Sequence, residues 1–359
     1  MDRKRVFLLG AGFSRAINGR MPMLDELSKA VRDSDLVKAA DLQHGPKRYG
    51  DDVERWLTAM ADPGPWLTPA QAHRARSDFA TVSEAVAKVI SERDELVVRK
   101  TPIPPWLAKL VRSWHERQET VITFNYDRLV ETACYTVLKP VDSFLGDARD
   151  LYPIALTPAA SRRGATAGIA GKGVADTFKL LKLHGSLSWW GSGLDGQPSD
   201  PIYFTEWTGV FNRGIRVEPP DPKLLIADLF EVIIPPVATK TPFYSKRILA
   251  SQWSLAAKAL QELQEGDELL LMGYSLPLTD LTVANLISSN LHGRRINIIP
   301  VNLPDTSTDQ ASTEQAEPAS SVVKNLKTLL PDHLVNDEYI RPGNPIEAWA
   351  DAHANLDTA

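Results

Sequence analysis

Short unbroken apolar runs punctuate the chain, and longer stretches between them carry apolar residues at every third or fourth position. The runs are "VFLL" (6–9), "TVITF" (120–124), "KLLKL" (179–183), "EVIIP" (231–235), "ELLLM" (268–272) and "INIIPV" (296–301). None alternates cleanly between apolar and polar. A strand wet on one face must alternate; a parallel strand covered on both faces need not. Between several runs lie helical patterns. In "SKRILASQWSLAAKALQELQEG" the residues Ile248, Leu249, Trp253, Ala256, Leu260 and Leu263 fall on one helical face, and Gly266 is the expected stop. Strands alternating with helices predict an α/β fold, a Rossmann-like doubly wound parallel sheet of about six strands.

One gap is long. Between the first two strands, "DFATVSEAVAKVISERDELVV" (78–98) is helical in pattern, and proline-bearing breaks occur at 61–66 and 101–106. Residues 22–106 read as a helical insertion or subdomain. Residues 141–178 and 187–230 read as irregular, and "SRRGATAGIAGKG" (161–173) reads as a mobile loop. "PDTSTDQASTEQAEPASS" (304–321) has linker composition. It separates a main domain, 1–303, from a C-terminal helical tail, 322–359, that opens with "VVKNLKTLL" (322–330).

Composition narrows the class of protein. The 359 residues are 43% hydrophobic and 24% charged, which suits a soluble globular chain with a large core. A net charge of −5 speaks against direct nucleic-acid binding through bulk charge. The single cysteine, Cys134, permits neither a disulfide framework nor a Cys-rich zinc site, so no zinc is expected and a cytoplasmic setting is. No apolar run approaches the roughly 18 residues of a membrane span, and the N-terminal apolar run is too short for a signal peptide.

Candidate chemistry lies where the apolar runs end, the edge at which α/β sheets bind ligands. The first run enters Gly10-Ala11-Gly12-Phe13-Ser14, a turn whose glycines would let backbone approach a phosphate. Arg15 stands where a dinucleotide fingerprint has its third glycine, and no acidic residue follows a second strand at the usual distance. That weakens a hydride-transferring dehydrogenase. The second run ends in Thr123-Phe124-Asn125-Tyr126-Asp127. Asn125 can donate and accept hydrogen bonds; Asp127 either serves a ligand or caps the helix that follows. The third ends in His184-Gly185-Ser186, with His184 a general base or a structural histidine. The fifth ends in Gly273-Tyr274-Ser275, where Ser275 suits a phosphate or ribose hydroxyl and Asp280 reads best as a helix cap. Asn302 follows the last run.

The ordered set GAG-F-S, T-F-N-Y-D, L-H-G-S, G-Y-S-x-P-x-x-D and V-N resembles the sirtuin-like superfamily, most closely its bacterial branch that hydrolyses NAD in anti-phage defence. The resemblance covers roughly residues 1–305. It implies a Rossmann-like NAD-binding domain with NAD as substrate. In it Gly10, Ala11, Gly12, Phe13 and Ser14 hold the pyrophosphate region, Thr123 belongs to the cofactor site, and Asn125 and Asp127 face the nicotinamide ribose and carboxamide. His184 is the implied base. Gly273 and Ser275 line the ADP-ribose site, and Asn302 contacts the adenosine ribose. The chain departs from sirtuin deacylases in three ways. It lacks their four-cysteine zinc ribbon, it has "GRMPML" (19–24) where they have G-I-P-D-F-R, and it has Phe124 where they have Gln. Those losses count against protein deacylation but leave the groups needed to cleave the glycosidic bond.

The expected function is therefore an NAD hydrolase releasing nicotinamide and ADP-ribose, the effector of a defence system. Expected partners are further copies of itself or a sensor protein such as an ATPase or an Argonaute-like chain. The alternatives are a non-catalytic module sensing NAD or ADP-ribose, and a deacylase or ADP-ribosyltransferase using the same site.

Overall fold

A computed structural model describes residues 3–138, 148–154, 156, 177–192, 203–204, 209–212, 214–215, 229–240, 243–244, 247–277, 280–304, 320–331 and 333–355. The expected loop at 161–173 and most of the expected linker fall outside these.

Arg5–Leu9 (β1) runs into Ala11–Ile17 (α1). The insertion follows as Leu24–Arg32 (α2), Asp35–Ala39 (α3), Val53–Ala61 (α4) and Pro69–Lys100 (α5). Local chemistry sets these ends. Asp52 accepts from the first amides of α4, and Thr68 with Gln71 closes a capping box at the start of α5, where Pro69 takes the first helical position. Pro105–Glu116 (α6) returns the chain to Thr120–Thr123 (β2), Leu129–Leu138 (α7) and Lys179–Lys182 (β3). Next come Gly185–Ser192 (β4), Tyr203–Phe204 (β5), Gly209–Val210 (β6), Gly214–Ile215 (β7) and Leu229–Ile233 (β8). The last part is Arg247–Gln261 (α8), Glu268–Met272 (β9), Leu281–Leu291 (α9), Asn297–Val301 (β10), Ser321–Leu329 (α10), Leu334–Val335 (β11) and Pro345–His353 (α11).

The main sheet is six-stranded and parallel, in the order β11-β10-β9-β1-β2-β3. Its strands are apolar throughout because both faces are covered. Phe7 and Leu9 of β1 enter one core, with Trp114 of α6 and Trp349 of α11. Val6 and Leu8 enter the other, with Leu260 of α8, Ile287 of α9 and Leu326 of α10. Phe7 meets Trp114 and Trp349 edge-on at 5.5 and 5.6 Å, a favoured aromatic geometry.

Three sequence expectations change. "EVIIP" belongs to β8, which pairs antiparallel with β4 in a separate three-stranded sheet. A short apolar run cannot say which sheet it joins, and β8 is only partly buried. The sixth parallel strand is instead β11, inside the stretch expected to be a helical tail. Gly266 is not the stop of α8, which ends at Gln261; it sits at φ +89 in the turn before β9.

Candidate functional site

Sheet register brings the motifs together. Leu9 pairs with Thr123 and Met272, Thr123 pairs with Lys182, and Met272 pairs with Val301. The residues just beyond, Gly10, Phe124, Leu183, Gly273 and Asn302, therefore stand along one edge. The chain leaves β1 for β2 on one side and reaches β9 on the other, so β1 and β9 flank the topological switch point where such sheets open a crevice.

On the β9–β10 side lies a cavity of about 530 Å³, lined in part by Gly12, Gly273, Ser275, Asn302 and Ile346. That volume suits a nucleotide-sized ligand. The glycines there answer first to internal packing. A Cβ on Gly12 would stand 2.8 Å from the Gly273 Cα, and one on Gly273, whose φ is +63, would stand 2.1 Å from the Phe13 nitrogen. The Gly12 N–H donates to the Gly273 carbonyl at 2.9 Å. Gly12→Ala should therefore lower stability by about 1–3 kcal/mol through overpacking. Urea unfolding checks this, and an unchanged midpoint would mean that the two turns separate freely. Asn302 donates from Nδ2 to the Tyr274 carbonyl at 2.7 Å, tying the ends of β9 and β10. Phe13 has its ring wholly buried against Trp106 and Trp114, so only its backbone is left to meet a ligand. Ala11 and Ser275 are exposed.

On the β2–β3 side the polar candidates form a network. Asn125 Nδ2 donates to the Gly10 carbonyl at 2.8 Å and to Ser14 Oγ at 2.9 Å, and Ser14 Oγ donates to Asp127 Oδ2 at 2.6 Å. Asp127 also accepts the Leu129 N–H at 3.2 Å, so it both caps α7 and holds Ser14. Thr123 Oγ1 accepts the Asn125 N–H at 3.1 Å. Burial pushes the Asp127 carboxyl up to about 6, with Asp94 adding to the rise and Lys182 opposing it.

Beneath this loop lies a buried charge lattice that sequence reading missed. Lys182 Nζ donates to the Asp127 carbonyl at 2.5 Å and pairs with Glu131 Oε1 at 2.8 Å, while Arg128 pairs with Asp94 at 2.7 Å. These pairs fix the Asn125–Asp127 backbone from below.

His184 lies in the turn between β3 and β4, where Gly185 (φ +83) passes so close to β8 that a Cβ would stand 1.9 Å from the Val232 carbonyl. Its ring is buried beside Phe124, 5.1 Å between centroids, with Tyr126 and Trp253 farther out. Burial, then the Lys240 charge, lowers its pKa to about 3, so the ring is neutral at pH 7. Its Nε2 is buried without a hydrogen-bond partner among the described residues. A neutral nitrogen held this way is a hydrogen-bond acceptor awaiting a donor; with so low a pKa it is a weak base, able to take a proton only from a group that a developing cation has made acidic.

Asp280 corrects another expectation. It precedes α9, but its side chain makes no cap bond. Its carboxylate instead pairs with Lys240 Nζ at 3.2 Å and accepts the Tyr274 hydroxyl at 3.0 Å. Lys240 came from the loop after β8, whose sequence has no periodicity to mark it. That loop docks on the insertion, where the Ala238 N–H donates to Thr58 Oγ1 of α4 at 2.9 Å. Glu54 of α4, raised by burial and drawn back by Lys240, joins the same charged group.

Fold and site together define a Rossmann-like α/β protein with a nucleotide-sized crevice at the carboxyl edge of its sheet. No protein-family model and no curated protein matches the chain. Solved structures similar to it are Sir2 homologues. A point mutant in complex with ADP-ribose is 17% identical over 98% of this chain and 92% of that one, with a TM-score of 0.42. A Sir2 homolog–NAD complex is 16% identical over 99% and 92%, at 0.40. A second ADP-ribose complex of a mutant Sir2 homologue is 16% identical over 92% and 94%, at 0.39. Identities this low transfer no residue role. Among the described residues no helix is long and apolar enough to cross a membrane, and no group of three or more His, Cys, Asp or Glu could hold a metal ion.

Proposed function

We propose that the chain hydrolyses NAD to nicotinamide and ADP-ribose. One observation carries the reading: a neutral buried His184, its Nε2 unpartnered among the described residues, stands at the same sheet edge as the Asn125–Ser14–Asp127 network. The motif resemblance supports the same substrate. In the reaction the C1′–nitrogen bond of the nicotinamide ribose breaks and its electron pair leaves with nicotinamide, which departs neutral without an acid. Water adds to C1′ and gives up a proton. His184 takes that proton from the water or from a ribose hydroxyl, and Asp127 in its ionised form steadies the developing positive charge. With no acylated lysine to accept the ribose, water is the acceptor.

Purified chain given NAD should release nicotinamide and ADP-ribose in equal amounts without an acylated peptide. Absence of release under all conditions, including added partner, would remove the hydrolase. The pH profile is a second expected outcome. Asp127 has its pKa raised to about 6, so it is ionised above that pH and protonated below it. Activity should fall as pH drops through about 6. Ser14→Ala removes a hydrogen bond that favours the ionised form, and should move this limb upward. A limb that stays put would take Asp127 out of the reaction.

An unrestrained NAD hydrolase would empty a cell's cofactor pool. The proposed biological role is accordingly a cytoplasmic defence effector, switched on by self-assembly or by a sensor partner.

A further inference from the structure

The described wall of the cavity beside β1, β9 and β10 carries one ionisable residue. Among the described residues that line it, Arg15 alone is ionisable. The rest of its wall is apolar or neutral, with Met23 and Leu303 both largely exposed. In a chain of net charge −5, a guanidinium on the described wall of a nucleotide-sized cavity is a selective feature. Arg15 is engaged in two ways. Its Nη1 donates to the Met21 carbonyl at 2.9 Å, and its guanidinium grips Glu26 of α2 with both Nη atoms, at 2.5 and 3.0 Å. Arg15 and Glu26 are both partly exposed, at 36% and 51% of their side-chain surface, so the pair is open to exchange with an incoming anion. A guanidinium matches carboxylate and phosphate oxygens with the same two-pronged geometry.

We propose that Arg15 is a phosphate-binding residue of this cavity, that it exchanges Glu26 for a ligand phosphate, and that nucleotide binding thereby releases α2 from α1. The inference rests on the nucleotide reading of the cavity and adds a ligand class to it: a nucleoside diphosphate ester enters, whereas the nucleoside alone leaves the Arg15–Glu26 pair intact. Glu26 acts as an internal competitor that holds the first helix of the insertion to the site until phosphate arrives.

The test is calorimetric titration of the full chain with ADP-ribose and, separately, with adenosine. Arg15→Met should weaken ADP-ribose binding at least about tenfold, the value of one lost charge-assisted contact, and leave adenosine within about twofold. Glu26→Gln keeps the capping geometry of α2 but removes the competing charge, so it should tighten ADP-ribose several-fold. The double variant should bind like Arg15→Met alone, since Glu26 acts through Arg15. Unchanged ADP-ribose affinity in both single variants would overturn the proposal. Equal loss of adenosine and ADP-ribose in Arg15→Met would also overturn it, because that pattern marks a merely structural arginine. NAD turnover is read in parallel. A chain that binds ADP-ribose with this variant pattern but releases no nicotinamide would sink the hydrolase and leave the phosphate exchange standing.

Discussion

Replacing His184 by Ala, or Asn125 by Ala, is expected to reduce nicotinamide release from NAD at least about 100-fold, the scale of a lost general base or a lost oriented dipole. The two variants act differently. His184→Ala removes the buried neutral nitrogen, whose Nε2 has no partner among the described residues, but it also empties the ring's place beside Phe124, so a cavity cost of about 1–3 kcal/mol is expected while the chain stays folded. Asn125→Ala breaks the link from Ser14 to the Gly10 carbonyl, so Ser14 and Asp127 lose their registration against the first turn. Some stability should go with it, on the order of 1 kcal/mol for a hydrogen bond. The measurement is nicotinamide release beside thermal melting for each variant. Full turnover by folded His184→Ala protein would exclude it as the base and return it to the status of a core histidine.

Lys182→Met is expected to cost about 3–5 kcal/mol of folding stability, the usual toll for stranding a buried charge. The Lys182 side chain is 1% exposed and Glu131 is 5% exposed, so neither can turn to water. Without the ammonium, Glu131 keeps, among the described residues, the Tyr152 hydroxyl alone, and the Asp127 carbonyl loses its donor. Replacing both partners by apolar residues should recover part of the loss, because the isolated charge and not the missing pair is what destabilises. Urea midpoints for the single and double variants decide it. A single variant that loses under about 1 kcal/mol would mean that water reaches Glu131.

The parallel sheet was legible because its strands are covered on both faces, and such strands have no choice but to be apolar along their length. Five of its six strands announced themselves in this way. β11 did not, being two residues long with only partial burial; in the separate antiparallel sheet β4 was equally silent, since Gly185–Ser192 mixes glycine, serine and tryptophan in a stretch that reads as irregular. Motif order along the sequence became proximity in space for one reason: an in-register parallel sheet sends every strand end to the same edge. What sequence could not reveal was pairing at a distance. Lys240 and Asp280 meet across forty positions, and the contact turns an expected helix cap into part of the charged wall near His184. Lys182 looked like one polar residue in an apolar run, and only the fold shows that α7 supplies its counter-charge.

The cavity wall also draws on two stretches far apart in the chain. Gly12 and Gly273 come from the heart of the sheet, whereas Val322 and Ile346 come from beyond the expected linker. A ligand seated there would act as a removable rivet between the body of the protein and its C-terminal segment. Occupancy would then be written into the durability of that segment. A ligand at 100 times its dissociation constant adds about 2.7 kcal/mol to whatever unfolds with the cavity, so a protease working on the C-terminal segment becomes a gauge of how much nucleotide is present.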